Sequence, residues 1–134
     1  MKSILRRQDL IEPELSYKIL GILFHVYNII GPGHPEKVYQ RAISQSLQEA
    51  KMLFQEQVLV PLIFENKSVG RYFLDFLIDD KVVLEIKSGE RFSPKNIAQV
   101  NSYLKATKFQ LAVLANFTRD GVVSKRLVNT LKSY

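Results

Sequence analysis

Two apolar segments that are each interrupted by charged residues constrain this chain more than any other feature. Residues 69–78 and 81–87 are rich in Val, Ile, Leu and Phe, and two aspartates separate them. Segments of this kind joined by a short turn are typical of a β-hairpin. Asp75 interrupts the first segment, and Glu85 and Lys87 interrupt the second. Because residues two apart on a strand point the same way, Glu85 and Lys87 share one face.

The length of the hairpin loop decides whether the three charges meet. With a two-residue loop, Asp75 lies opposite Leu84, and Glu85 faces away from it. With a three-residue loop that includes Lys81, Asp75 lies directly opposite Glu85, since a shift of one residue moves every side chain to the other face. The competing interpretation is an ordinary surface ion pair between Glu85 and Lys87. The functional interpretation therefore requires the three-residue loop.

The facing carboxylates predict a metal site. Two carboxylates held about 5 Å apart across a strand pair repel each other, and a divalent cation relieves that repulsion. Oxygen ligands without thiolates suit Mg²⁺ or Mn²⁺ rather than Zn²⁺. Mg²⁺ accepts one or two carboxylates, several waters and the phosphate oxygens of a substrate. Asp75 and Glu85 are therefore the predicted ligands of Mg²⁺ (or Mn²⁺).

The N-terminal part of the chain predicts two helices. Apolar residues recur at helical spacing after Pro13, and Gly31-Pro32-Gly33 stops this first helix. A second helix begins at Pro35 and Glu36. The next segment, residues 57–65, is rich in β-branched residues and contains a proline that indicates an edge strand or a bulge.

The C-terminal part predicts a crossover. Ser93 and Pro94 cap a helix that runs to about Ala106, and residues 109–115 read as a buried strand. A helix between two strands makes them parallel, with a right-handed connection. The tail at 122–131 fits either a helix or a strand. The expected fold is α/β, with a mixed central sheet of about four strands, three antiparallel plus one parallel, flanked by helices.

Composition narrows the class of protein. A chain of 134 residues with 46% apolar residues fits a single domain spanning residues 1–134. It has no cysteine, which excludes a disulfide framework, a thiolate zinc site and a cysteine nucleophile. A net charge of +6 favours polyanions such as nucleic acid. The sequence shows no signal peptide and no membrane-spanning apolar run, so a cytoplasmic protein without a membrane partner is expected.

Three motifs in a consistent order carry a family resemblance. Asp75 followed by Glu85-Ile86-Lys87 resembles the signature of the PD-(D/E)XK nuclease superfamily. Residues 33–39 (GHPEKVY) match the G-x-x-E-x-x-Y motif of its GxxExxY family, and residues 99–103 (QVNSY) match the Q-x-x-x-Y motif of its RecB-like branch. The resemblance covers about residues 15–117. It departs at residue 74, where the superfamily often has proline and this chain has leucine.

The resemblance implies a restriction-endonuclease-like fold and a nuclease-type site. It implies that Asp75, Glu85 and the backbone carbonyl of Ile86 hold the metal. Lys87 would position or help to deprotonate the attacking water and offset charge on the phosphorane. Glu36 would be an additional acid that reaches the metal directly or through water. The alternative for Glu36 is a favourable acid in the first turn of a helix.

The remaining candidates support the site or contact nucleic acid. Gln99 and Tyr103 lie one helical turn apart on one face, which either faces the site or is ordinary polar surface. Tyr39 either packs in the core or brings its hydroxyl to a site carboxylate. Arg91 and Lys95 follow the third strand and are the first candidates for phosphate contacts.

The leading hypothesis is a metal-dependent nuclease that hydrolyses phosphodiester bonds in nucleic acid, with DNA expected as the substrate. The alternative is a nucleic-acid-binding module that keeps the nuclease fold and has little or no activity. A third reading, a structural protein in which Glu85 and Lys87 merely pair, predicts no metal binding. The sequence leaves the oligomeric state open; a homodimer is one way in which so small a nuclease could embrace a duplex.

Overall fold

The computed structural model of the protein describes residues 11–89 and 93–129. Over these residues, three helices and five strands follow the order expected from the sequence. They are α1 (Pro13–Ile30), α2 (Glu36–Glu49), β1 (Phe54–Phe64), β2 (Lys67–Ile78), β3 (Val82–Ser88), α3 (Pro94–Lys105), β4 (Leu111–Thr118) and β5 (Gly121–Val128). None of these helices combines the length and the apolar composition needed to cross a membrane.

The strands form one mixed sheet in the order β1-β2-β3-β4-β5. β3 and β4 are parallel, and the other neighbouring strands are antiparallel. The predicted crossover through α3 is thus confirmed. The expected number of strands, four, is one too low, because the ambiguous tail forms β5. β5 pairs along the whole of β4, whose eight residues are all buried.

β1 lies at the edge of the sheet, as its proline predicted. Pro61 pairs with Arg71 of β2 in the antiparallel register. The register shifts by one residue between Leu62 and Ile63, which marks a bulge. An edge strand tolerates a proline because one side of its backbone needs no partner strand.

One face of the sheet packs against α1 and α2. Ile19, Leu23 and Val26 of α1 form a single buried cluster with Tyr39, Ile43 and Leu47 of α2 and with alternate residues of the strands. The strand residues in this cluster are Phe76, Ile78, Val82, Leu84, Ile86, Leu111, Val113, Ala115 and Phe117. We call this the α1/α2 face. It includes Phe76, Leu84 and Ile86, which are sequence neighbours of Asp75 and Glu85.

The opposite face packs against α3 and is called the α3 face. Val100, Tyr103 and Leu104 of the helix form a second cluster with strand residues that include Leu77, Val83, Ala112 and Leu114. A capping box starts the helix: the Ser93 hydroxyl accepts a hydrogen bond from the Asn96 amide at 3.1 Å. Since Val83 belongs to this face, strand alternation places Glu85 and Lys87 here too.

Candidate active site

The β2–β3 hairpin has the three-residue loop that a functional site requires. Ile78 pairs with Val82, and Phe76 pairs with Leu84. The loop comprises the two aspartates and Lys81, and both aspartates have positive φ, 55° at Asp79 and 54° at Asp80. Aspartate tolerates this left-handed conformation better than most residues, so the Asp-Asp sequence suits the turn. The same register places Asp75 opposite Glu85.

The two carboxylates replace the regular strand pairing at this point. The ladder between β2 and β3 ends at the Phe76–Leu84 pair. Beyond it, the Asp75 amide donates a hydrogen bond to Glu85 Oε2 at 2.8 Å. The Ile86 amide donates one to Asp75 Oδ2, also at 2.8 Å. These reciprocal bonds hold the carboxylates side by side in a fork where β2 and β3 separate.

A change of face in β2 accompanies this fork. Leu74 packs on the α3 face and Phe76 on the α1/α2 face, although residues two apart on a regular strand share a side. Gln57, which lies between the Val58–Leu74 and Glu56–Phe76 pairs, has a positive φ of 52°. β1 and β2 are therefore both irregular at the level of Asp75. This irregularity lets the Asp75 carboxylate turn towards the backbone of β3.

Glu85 lies where a second negative charge, beside that of Asp75, is strongly disfavoured. It is only 5% exposed, and burial raises its pKa well above the ordinary value. The neighbouring Asp75 carboxylate raises the pKa further, and Lys87 only partly offsets this. Burial also raises the pKa of Tyr103, and the charges of Glu85 and Asp75 add to that shift. In the cation-free protein the site therefore disfavours the ionised form of Glu85, and Lys87 does not fully offset this effect.

The donor set fits a hard divalent cation. Each carboxylate accepts one of the reciprocal bonds through a single oxygen, Asp75 Oδ2 and Glu85 Oε2. An extended residue directs its N–H and C=O towards the same neighbouring strand, so the Ile86 carbonyl points into the fork. No cluster of three or more His, Cys, Asp or Glu suited to a metal occurs within residues 11–89 and 93–129. Two carboxylates and a carbonyl match Mg²⁺ or Mn²⁺, which complete their shells with water and phosphate oxygens.

Glu36 does not join Asp75 and Glu85 in a metal-ligating group of the described residues. It begins α2, and the loop before it is tied to the end of β3. The Ser88 hydroxyl donates a hydrogen bond to the His34 carbonyl at 2.7 Å, and His34 Nε2 is 2.8 Å from the Ile30 carbonyl. The loop therefore brings the start of α2 to the end of β3 that carries Lys87. The His34 ring itself contacts the backbone carbonyl of Ile30.

The side chain of Tyr39 supports the loop between α1 and α2. Its side chain is fully buried on the α1/α2 face and stacks on Phe117 with ring centroids 4.1 Å apart. Its hydroxyl donates a hydrogen bond to the Gly31 carbonyl at 2.7 Å. Of the two readings of this residue, core packing is the one that the structure shows. A buried side chain cannot contact nucleic acid, so Tyr39 positions the loop instead.

α3 packs over the site on the α3 face of the sheet. Tyr103 packs against Tyr72 of β2, with ring centroids 4.4 Å apart, and lies beside the two carboxylates. Gln99 is half-buried one turn before Tyr103, and Lys95 is exposed in the first turn. The Q-x-x-x-Y residues thus lie on the helix that packs over Glu85 and Lys87. Arg91 lies outside the described residues.

The sequence analysis missed Asn116. This residue interrupts β4 as Asp75 interrupts β2, and it pairs with Lys87 in the parallel register. It is 1% exposed, and its Oδ1 has no hydrogen-bond partner among the described residues. A single polar residue inside the apolar run of residues 111–117 was the available signal. The predicted strand ended at residue 115 and therefore left Asn116 outside.

The mixed sheet has helices on both faces and carries two carboxylates where β2 and β3 separate. The family model of the PD-(D/E)XK nuclease superfamily matches residues 13–128. The chain belongs to that superfamily. This match confirms the resemblance at the level of the superfamily, and membership of the GxxExxY branch stays a prediction.

Two other comparisons add little. None of the curated proteins matches the chain. Among solved structures, the crystal structure of SSO0001 is similar, with a TM-score of 0.49 and 17% sequence identity. The similarity covers 69% of this chain and 48% of that one, so this chain spans about half the length of SSO0001.

Proposed function

We propose that this protein is a divalent-cation-dependent nuclease that hydrolyses phosphodiester bonds, with DNA as its substrate. The observation that carries the proposal is the pair of reciprocal 2.8 Å hydrogen bonds that hold Asp75 and Glu85 together. A buried carboxylate beside a second, half-buried one is costly to keep ionised unless a cation offsets the charge. Membership of the nuclease superfamily supports the same reading.

Asp75, Glu85 and the Ile86 carbonyl would hold Mg²⁺ or Mn²⁺, and Glu36 would reach the same cation through water. When bound, the cation supplies Lewis acidity that polarises the scissile phosphate and acidifies a water. The Lys87 ammonium orients the attacking water and stabilises the charge that develops on the phosphate oxygens. The oxygen of that water forms a bond to phosphorus as the bond to the leaving oxygen breaks, and the leaving oxygen ends protonated.

The accessible residues of α3 next to the site would bind the substrate backbone. Gln99 is proposed to orient Lys87 or to contact a phosphate, and Tyr103, which is buried, to orient Lys87. Lys95 adds a positive charge at the start of the helix. Arg91 keeps its predicted role in phosphate binding. The net charge of +6 favours a polyanionic substrate over a neutral one.

Cleavage assays test the proposed function. Wild-type protein is expected to cleave a DNA oligonucleotide or plasmid in millimolar Mg²⁺ or Mn²⁺ and to lose this activity in EDTA. A matched RNA oligonucleotide under the same conditions identifies the nucleic acid. Cleavage that persists in EDTA, or salt-sensitive binding of both nucleic acids without cleavage in either cation, would refute the proposal.

The β1–β2 hairpin offers a surface for the proposed homodimer. Leu59 and Phe73 are cross-strand partners, and both are about half exposed. Ile63, Phe64 and Val69 add further exposed apolar side chains towards the hairpin turn. Exposed apolar side chains grouped in this way mark a protein interface more often than a phosphate-binding surface. A twofold dimer would bury the same surface on both copies.

Light scattering tests this homodimer. Wild-type protein is expected to elute at twice the mass of the chain, and the double variant L59S/F73S at the mass of one chain. L53S is the matched control, because Leu53 is exposed before β1 begins and outside the proposed interface. A wild-type protein that stays monomeric at about 100 µM, a concentration at which micromolar dimers form, would contradict the dimer.

A further inference from the structure

Asn116 is a buried polar residue that the roles assigned so far leave unexplained. Its side chain is 1% exposed, and Oδ1 lacks a hydrogen-bond partner among the described residues. Buried carbonyl groups are satisfied in the great majority of cases, because an unpaired one loses its hydration without compensation. An unsatisfied acceptor in an otherwise apolar strand therefore points to a donor that arrives with a ligand or with a change of rotamer.

The register of the sheet places a hydrogen-bond donor beside Asn116. Asn116 pairs with Lys87 in the parallel β3–β4 ladder, so the two side chains leave the sheet on the same side. Leu114, two residues earlier, packs on the α3 face, whereas Ala115 and Phe117 pack on the α1/α2 face. Asn116 therefore adjoins Lys87 on the α3 face.

The chemistry of the two groups is complementary. An amide carbonyl only accepts hydrogen bonds, and a lysine ammonium has three donors and no acceptor. A phosphate oxygen cannot satisfy Oδ1, since both are acceptors. The carboxylates are less suitable for the same reason, and the strand residue beside Glu85 is Leu114 rather than Asn116. Lys87, the partner of Asn116 in the β3–β4 register, has protons to donate.

We propose that Asn116 is a positioning residue whose Oδ1 accepts a hydrogen bond from the Lys87 ammonium when cation and nucleic acid are bound. The inference rests on the proposed nuclease function. The bond fixes the ammonium above the fork and leaves its other two donors for the attacking water and a phosphate oxygen. Asn116 touches neither cation nor substrate itself.

The experiment combines kinetics with metal titration. N116L keeps the branched shape of the side chain and removes the acceptor. It is expected to lower kcat about 10- to 100-fold, the range typical of residues that orient a catalytic group, while KM changes less than about threefold. Calorimetric Mn²⁺ affinity should stay within about twofold of wild type, because the proposed ligands are unchanged. N116D, which keeps an acceptor in the same place, should retain most of kcat.

A double mutant separates positioning from a general structural effect. If Asn116 acts through Lys87, adding N116L to K87A should lower kcat no further. T118V is the structural control: Thr118 is buried on the same strand and its hydroxyl bonds the Gly121 carbonyl, so only stability should fall. If N116L does not fold, N116A replaces it with the same expected results.

Three results would overturn this inference and leave the proposed function standing. The first is a wild-type kcat in N116L. The second is a double variant N116L/K87A whose loss of kcat equals the product of the losses in the two single variants. A shift of Mn²⁺ affinity in N116L beyond about tenfold would assign Asn116 to the cation site and also overturn it. A wild-type protein that binds Mn²⁺ and cleaves nothing would instead remove the proposed function and, with it, this inference.

Discussion

K87A is expected to lower kcat for nucleic-acid cleavage by about 10²- to 10⁴-fold, the range typical of a positioned proton-transfer or charge-stabilising group. The reason is that Lys87 supplies positive charge on the same face as the carboxylate Glu85, where charge develops on the phosphate. Its removal leaves the proposed ligands intact, so Mn²⁺ affinity should change much less than kcat. Initial cleavage rates and a parallel calorimetric titration measure both quantities.

K81A is the matched control for this prediction. Lys81 lies in the loop of the same hairpin, and its exposed ion pair with Asp79 spans 3.8 Å. Surface pairs of this kind contribute little to stability. K81A should therefore cleave at the wild-type rate. Equal rates in K87A and wild type would remove Lys87 from the site, and equal losses in both lysine variants would indicate a general effect of charge on binding.

E85Q is expected to stabilise the cation-free protein while abolishing its response to Mn²⁺. Burial and the neighbouring Asp75 raise the pKa of Glu85, so the ionised form is disfavoured in the folded state. Glutamine keeps an oxygen that can accept the Asp75 amide bond and carries no charge. At pH 8, the free energy of unfolding should rise by about 1 to 3 kcal/mol, which corresponds to roughly 3 to 10 °C in Tm.

The pH dependence has a definite sign. A carboxyl whose pKa is higher in the folded than in the unfolded state binds its proton more tightly when folded. The stability that this proton contributes is complete below the ordinary value of 4.5 and is lost as the pH rises from there towards the raised value. The Tm advantage of E85Q in EDTA should therefore be small near pH 4 and grow towards pH 8.

Addition of Mn²⁺ should make the Tm of the wild type higher than the Tm of E85Q. A ligand that binds only the folded state stabilises it by RT ln(1 + [L]/Kd), so wild-type Tm should rise with Mn²⁺ while E85Q Tm stays nearly constant. E49Q is the control, because Glu49 is exposed at the end of α2. A wild type that is more stable than E85Q at pH 8 in EDTA would contradict the electrostatic description of the site.

Much of the fold follows from local sequence rules. Gly31, Pro61 and Ser93 marked the end of α1, the edge strand and the start of α3, because each has a specific backbone or capping preference. The tail was ambiguous because alternation in the sequence of β5 is interrupted by Ser124, Lys125 and Arg126. Pairing with the buried strand β4 settles its conformation, and that pairing is a tertiary effect that a local pattern does not contain.

The site was predictable only in part, for a physical reason. The charges of Asp75 and Glu85 were visible in the sequence, but their meeting depended on one residue of loop length. The Asp-Asp pair fits both loops, so the functional hypothesis rather than the turn chemistry selected the register. The change of face between Leu74 and Phe76 accompanies the carboxylate bonds across the fork, and no strand pattern encodes it. Asn116 became significant only through its register with Lys87.

A manganese-soaked crystal tests the central claim, a cation site at the fork of β2 and β3, most directly. Anomalous diffraction should show one peak at coordination distance, about 2.2 Å, from carboxylate oxygens of both Asp75 and Glu85, with the Ile86 carbonyl in the same shell. A crystal of E85Q soaked in parallel should lack the peak. A fully soaked wild-type crystal with no manganese at the fork, or with manganese only at other acidic residues, would contradict the account.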